Sequence, residues 1–255
     1  MTTGDSRERS ATIGDLLDAM QHRLASLPGG HVAARDFLST YMRTTAAVAE
    51  AIEAHTFEDP AWVEHWDLEF AGLYLDALDA HLSEEGRPSR PWRLAFGAAP
   101  DLPPLLNVLL GVNAHINYDL PQALLTVITN AEFSDPLLLA RRHRDHERID
   151  EILSGRVDAE DVEISARSVR TVLDRALRPI NRWAARRFLK EAREKVWENT
   201  LQLWRAKSLN ESAYATRLAE LELLSAAKIS DLVAPGHILV RLAVAGFGVS
   251  LPPED

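Results

Sequence analysis

The most chemically suggestive part of the sequence is a cluster of polar residues inside a strongly apolar stretch, residues 105–128. A polar group removed from water costs about 2–7 kcal/mol unless it is hydrogen-bonded, so such a cluster predicts a buried network. The network could serve catalysis or hold the fold together. Its members are Asn113, His115, Asn117, Tyr118 and Asp119.

The spacing of these residues predicts two pairs on a helix. His115 and Asp119 lie one turn apart on the same face, and Asn113 and Asn117 form a second pair on nearly the opposite side. A histidine held by a carboxylate is suited to general acid–base catalysis, because its pKa can be tuned to the working pH. The asparagine amides, together with free backbone N–H groups, could bind a developing oxyanion.

Pro121 predicts an interruption of this helix, because proline cannot donate a hydrogen bond to the carbonyl of Asn117 and its ring crowds that carbonyl. The run from Asp119 to Gln122 fits a capping box in which Asp119 is the N-cap of the next helix. In a structural interpretation, Asp119 only caps and the asparagines satisfy the broken backbone. In a functional interpretation, the break exposes His115 inside a pocket.

A second helix carries Asp67 and Tyr74 on an apolar face. A buried aspartate must be paired, and the candidates are Arg187, Arg193 and His115. Asp67 is therefore either half of a structural ion pair or an orienting carboxylate for His115.

Helical periodicity predicts the elements that position these residues, since glycine and proline fall almost entirely between the periodic segments. N-caps are predicted at Asp59, before Pro60, and at Asn210, and a helix start at Pro179. The expected fold is all-α: a single multi-helix domain, an irregular helical bundle with a broken central helix. The predicted helices cover residues 11–27, 32–55, 60–83, 102–118, 121–131, 135–153, 158–177, 180–208, 211–229 and 236–246. Residues 1–10 are predicted to be a disordered tail and 11–255 one all-helical domain, with a candidate subdivision near 154–158.

Composition excludes several classes of function. The net charge of −10 disfavours a nucleic-acid surface. The absence of cysteine excludes disulfides, iron–sulfur clusters and thiol nucleophiles. No apolar run is long enough to span a membrane, and no apolar segment follows the N-terminus, so a cytoplasmic protein is expected. Glycine-rich phosphate loops and metal-binding motifs with enough ligands are missing, so neither a cofactor nor a metal is expected.

The run from Asn113 to Pro121 resembles the signature N-x-H-I-N-x-D-L-P of an actinobacterial protein family of unknown function. Similarities extend along most of the chain, at Phe57 to Pro60, Asp67, Phe70, Tyr74, Pro91 to Arg93, His143, Asp145 and Trp183 to Trp197. The chain departs from the family pattern at His146, in place of tyrosine, and at Asp150, in place of asparagine. The resemblance implies a helical fold and no established activity.

Two functions are compatible with these observations. The first is a cofactor-independent enzyme that acts on a small, largely apolar molecule in an interhelical pocket by hydrolysis, elimination or cyclisation. Its candidate catalytic residues are His115, Asp119 and Asp67, and its candidate substrate-binding residues are Asn113, Asn117, Tyr74, Tyr118 and Arg187. The second is a non-catalytic domain that binds a small molecule or another protein.

A deep pocket ending at His115 would favour the enzyme, and a packed interior with an exposed apolar patch would favour the binding domain. The expected partner is a small-molecule ligand or substrate, with no nucleic acid and no membrane. The sequence leaves a homo-oligomer open.

Overall fold

Helices account for all of the regular secondary structure in the computed structural model, which describes residues 12–149, 152, 172–234 and 246–253. For residues 172–190 it describes the course of the backbone alone. These residues contain no strand, which confirms the all-α prediction. The elements are α1 (Ile13–Ser26), α2 (Val32–Glu53), α3 (Pro60–Leu82), α4 (Arg90–Phe96), α5 (Pro104–Ala114), a π-helical turn (His115–Asp119), α6 (Leu120–Val127), α7 (Asn130–Ser134), α8 (136–149), α9 (Val172–Leu209) and α10 (Glu211–Val233).

Two of the predicted helix starts are confirmed in atomic detail. The side chain of Asp59 accepts a hydrogen bond from the N–H of Trp62 at 3.2 Å, with Pro60 in the first turn of α3. Asn210 accepts from the N–H of Ala213 at 2.9 Å at the start of α10. In both cases a side-chain oxygen satisfies a backbone donor that the first turn of a helix leaves open.

Other boundaries differ from the prediction. Helix α9 runs through Pro179, so the predicted start there is wrong; a proline inside a helix removes one hydrogen bond and need not end it. Helix α4 is absent from the predicted helices, although Pro91 lies in its first turn, where proline is favourable. The tail at 1–10 and the subdivision near 154–158 lie outside the described residues. Of the helix predicted at 158–177, the structure describes the last six positions. Of the helix predicted at 236–246, it describes Gly246 alone, which is not helical.

The core of the described residues lies around α3 and α5, the most apolar of the long helices. Helix α3 buries Trp62, Trp66 and Phe70, and it packs on α2, on α6 and on the π-turn. Helix α5 approaches α2 closely at Gly111, where a Cβ atom would lie 2.4 Å from the ring of Phe37. The glycine therefore brings the aromatic face of α2 against the helix that leads to His115.

No helix in the described ranges has both the length and the apolar character needed to cross a bilayer.

Candidate functional site

The central helix is interrupted by a π-turn that places the polar cluster. The N–H of Leu120 donates to the carbonyl of His115, an i→i+5 bond that adds one residue to the turn. The interruption before Pro121 is confirmed, but the predicted N-cap at Asp119 is wrong. Asp119 has helical dihedral angles (φ −79°, ψ −39°), and its side chain caps no N–H group of α6. The wider turn accommodates the missing N–H of Pro121, so the chain does not have to stop and start a new helix.

The carboxylate of Asp119 instead joins two buried rings. Nδ1 of His115 lies 2.9 Å from Oδ2 of Asp119, and the same oxygen accepts a hydrogen bond from Nε1 of Trp92 at 2.8 Å. The predicted contact between His115 and Asp119 is therefore present. Trp92, from α4, was not identified as a site residue, although the Pro91-Trp92-Arg93 similarity was a signal for it.

Burial favours the uncharged forms of both His115 and Asp119. It lowers the pKa of His115 and raises the pKa of Asp119, while the hydrogen bond between them opposes both shifts. The donor from Trp92 also lowers the pKa of Asp119. When Nδ1 of His115 carries the proton and donates it to Asp119, Nε2 holds the free lone pair, which is the arrangement that a general base needs.

An aromatic shell encloses the imidazole of His115. Phe70 stacks on it with ring centroids 3.6 Å apart and an interplanar angle of 5°. Tyr41 meets it edge-on at 4.6 Å, and three more rings lie with centroids at 5.9 Å, those of Phe37, Tyr74 and Trp92. His115 is only 2% exposed, so the structure shows it enclosed by side chains rather than lining an open pocket.

Several polar atoms in and around this shell have no hydrogen-bond partner among the side chains and backbone described. They include Nε2 of His115, the hydroxyl of Tyr74 and Oδ2 of Asp67. Helix α3 carries Asp67 one turn before Phe70 and Tyr74 one turn after it, which places both on the face that stacks on His115. Each unsatisfied buried group costs about 1–3 kcal/mol. Within the described residues, this concentration of unsatisfied groups around one imidazole marks the shell as the candidate site.

Asp67 does not form the predicted pair with Arg193 or His115. Arg193 donates to the carbonyl of His146 at 2.7 Å, and no hydrogen bond or ion pair joins Asp67 to another described side chain. The side chain of Arg187 lies outside the described residues. Burial, and secondarily the charge of Glu64, raises the pKa of Asp67 to about 7. Its charge in turn helps burial to raise the pKa of Tyr41.

The remaining predicted substrate-binding residues that the structure describes lie at the end of α5 and on other faces of the π-turn. Asn113 and Asn117 do act as a pair, but both donate to the carbonyl of Phe247, at 3.3 and 3.2 Å. Tyr118 is partly exposed and faces α10, where the charge of Glu222 adds to burial in raising its pKa. The structure therefore brings His115, Asp119 and Tyr74 together, places Asp67 on the same face of α3 as Tyr74, and directs the asparagines to the segment around Phe247.

No cluster of three or more metal-ligating side chains occurs in the described ranges. The polar groups of the site come from six side chains. They are the imidazole of His115, the carboxyl groups of Asp119 and Asp67, the hydroxyls of Tyr41 and Tyr74, and the indole N–H of Trp92.

Asp67→Asn is expected to be more stabilising at pH 8 than at pH 5, by on the order of 2 kcal/mol. A carboxyl whose pKa is raised from 3.8 to about 7 on folding holds its proton in the native state, so wild-type stability is lost as pH rises through that window. Urea unfolding of both proteins at both pH values measures the difference. The matched variant Asp18→Asn removes an exposed charge and reports the effect of net charge alone. Equal effects of Asp67→Asn at the two pH values would contradict the assignment.

Comparison with known proteins places the chain in a wider group. A family model described as "Family of unknown function (DUF5995)" matches residues 13–235, which is most of the chain. This range includes every described residue of the site, and it ends before Phe247. Searches of curated proteins and of solved structures returned no match.

Proposed function

The chain belongs to the DUF5995 family, and we propose that it is a cofactor-independent enzyme that acts on a small, largely apolar molecule through acid–base chemistry at His115. Membership confirms the resemblance to a family of unknown function, so the argument for activity comes from the site. The observation that carries the proposal is Nε2 of His115, a buried acceptor without a described partner, on a ring whose other nitrogen is held by Asp119.

The arrangement is suited to proton transfer. Burial lowers the pKa of His115, which keeps the imidazole neutral and able to accept a proton near neutral pH. Asp119, held by Trp92, fixes the tautomer and stabilises the imidazolium that forms when Nε2 takes up a proton. The aromatic shell keeps water away, which strengthens these electrostatic interactions.

The shell also indicates the class of substrate. Its walls are the rings of Phe37, Tyr41 and Phe70, which favour an apolar body. Asp67 and the hydroxyl of Tyr74 could bind one hydroxyl or carbonyl group of that molecule. Asp67, with a pKa of about 7, could donate or accept a hydrogen bond there. Hydrolysis, elimination and cyclisation all fit this set of groups.

Entry of a substrate requires Phe70 to move. At a centroid separation of 3.6 Å, no atom fits between its ring and the imidazole. A second, open conformation, in which Phe70 has moved off the imidazole, is therefore part of the proposal. A chain without cysteine suits the reducing cytoplasm, which we include in the proposal as the place of action.

A second candidate function, a helical protein-interaction domain, is favoured by two observations: the interior around His115 is packed, and an apolar depression lies on the surface, which is the combination expected of a binding domain. A depression of about 710 Å³ lies on the surface between α4 and α10. Its lining includes Leu94 and Leu223, which are 38% and 51% exposed. In this alternative, the cluster around His115 only stabilises the fold.

A thermal-shift screen of small apolar compounds that carry one hydroxyl, carbonyl or ester group tests the proposal. A compound present at a free concentration of 100 times its Kd adds about 2.7 kcal/mol to the free energy of unfolding. This is expected to raise Tm by roughly 5–10 °C in a domain of this size. Compounds that bind are then incubated with the protein, and product formation is followed by mass spectrometry.

Two variants locate the binding site. Tyr74→Phe removes a polar atom of the shell and is expected to reduce the shift, whereas Leu223→Asp alters the surface depression and is expected to preserve it. A thermal shift that survives Tyr74→Phe and is reduced by Leu223→Asp would support the interaction domain. If no compound stabilises the wild-type protein, the enzyme proposal loses its support.

A further inference from the structure

The C-terminal residues 246–253 form a segment without helix or strand that inserts between the π-turn, α9 and α10. Its apolar side chains stand at every second position and are buried: Phe247 is 1% exposed, Val249 7% and Leu251 3%. Gly248, between the first two, is also buried, and Ser250, between the last two, is exposed. Apolar side chains at every second position are typical of an extended chain. The groove that receives it is lined by side chains that contact its backbone.

Side-chain amides bind the main chain of this segment at alternate residues. Asn117 donates to the carbonyl of Phe247 at 3.2 Å and accepts from the N–H of Val249 at 3.2 Å. Asn199, on α9, repeats the pattern one step further: it donates to the carbonyl of Val249 and accepts from the N–H of Leu251, both at 2.9 Å. Helices use their own backbone groups internally, so amide side chains are the groups with which a helical wall can bind an extended main chain.

Other side chains of the groove donate hydrogen bonds to backbone carbonyls along the same segment. Asn113 shares the carbonyl of Phe247. The other contacts are Lys228 with Gly246 at 3.1 Å, Lys195 with Gly248 at 3.2 Å, Gln202 with Leu251 at 3.4 Å and Arg217 with Pro252 at 2.6 Å. Six of the eight residues from 246 to 253 therefore have their carbonyl bound by a side chain of the groove.

The groove also selects glycine at two positions. Gly246 has φ +67°, a backbone conformation that other residues rarely adopt, and a Cβ atom there would lie 2.2 Å from Oε1 of Glu191. At Gly248, a Cβ atom would lie 2.8 Å from the Cα of Ala192, in the backbone of α9. Together with the buried apolar positions, this defines the pattern Gly-apolar-Gly-apolar-x-apolar.

We propose that this groove is a peptide-binding site for an extended segment of that pattern, and that residues 246–251 of a second copy of this chain can replace the resident segment. The walls at Asn113, Asn117 and Asn199 lie within the range of the family match, and the occupant lies beyond it. Main-chain recognition and the glycine requirement are satisfied equally by the segment of the same chain or of another copy. The resident segment has the advantage of being tethered, which raises its local concentration. The proposal is independent of catalysis at His115.

The test uses a fluorescent peptide with the sequence of residues 246–253 and a full-length variant, Val249→Asp, whose own segment is disfavoured by a buried charge. We expect saturable one-to-one binding to this variant in fluorescence anisotropy, at least about tenfold tighter than to the wild-type protein, because the resident segment no longer competes. The matched variant Ser250→Asp carries the same charge at an exposed neighbour and is expected to behave like wild type.

Two controls assign the signal to the groove. Adding Asn199→Leu to Val249→Asp is expected to abolish binding, because Asn199 supplies two of the main-chain hydrogen bonds. A peptide with valine in place of Gly248 is expected not to bind.

A Val249→Asp protein that keeps its helical circular dichroism and a cooperative melt but binds no peptide overturns the proposal. If Val249→Asp does not fold, the milder Gly248→Ala variant takes its place in the same assay. Loss of the cooperative fold in both would show that the segment is an inseparable part of the core, which also overturns it.

Discussion

The His115→Gln variant is expected to lose roughly 10²–10⁴-fold in turnover of any substrate found for the wild-type protein, while its free energy of unfolding changes by no more than about 1–2 kcal/mol. Glutamine has similar size and can still donate a hydrogen bond to Asp119, but it has no group that titrates near neutral pH. Turnover of a compound identified in the thermal-shift screen, together with urea unfolding, measures the two effects.

Trp92→Phe is the matched control for this variant, because it keeps the imidazole and removes only the indole N–H that donates to Asp119. Since that donor lowers the pKa of Asp119, its loss is expected to raise this pKa and to shift the acid limb of the pH–rate profile upward. Turnover should fall less than in His115→Gln. If His115→Gln instead melts far below the wild-type protein and the wild-type protein binds no compound, His115 is a residue of the core.

Phe247→Ala is expected to destabilise the protein by about 3–5 kcal/mol, the usual cost of removing a buried phenylalanine side chain. Phe247 is 1% exposed, and its carbonyl joins Asn113 to Asn117, so the cavity would open directly beside the π-turn. The midpoint of urea unfolding measures the loss. The matched variant Pro253→Ala, at an exposed position of the same segment, is expected to change stability by no more than about 0.5 kcal/mol. A loss below about 1 kcal/mol in Phe247→Ala would show that the segment contributes little to the core.

Local geometry explains what the sequence predicted correctly. Residues His115 and Asp119 meet because both lie on one short stretch of helix, where spacing alone determines proximity. The N-caps at Asp59 and Asn210 are likewise local. The same local reasoning failed at Asp119 as a cap, since a helix can pass a proline by widening one turn instead of ending.

Tertiary contacts explain what the sequence did not predict. Trp92 reaches Asp119 from 27 residues away, and the rings of Phe37 and Tyr41 come from a different helix. The asparagine pair was recognised, but nothing in its spacing identifies the carbonyl of Phe247 as its partner. Such contacts depend on how helices pack, and periodicity carries no information about that.

The contact between Asn117 and Phe247 spans 130 residues of sequence, and this has a consequence for biosynthesis. At a translation rate of about 5–20 residues per second, a ribosome makes the partner carbonyl roughly 7–26 s after it makes the asparagine. During that interval, the amides of Asn113 and Asn117 lack their native partner and can bind only water or another chain, and the groove is completed only after α9 and α10 have been made. Slow codons between these two positions would lengthen that exposure, and the yield of folded protein should therefore depend on translation speed there.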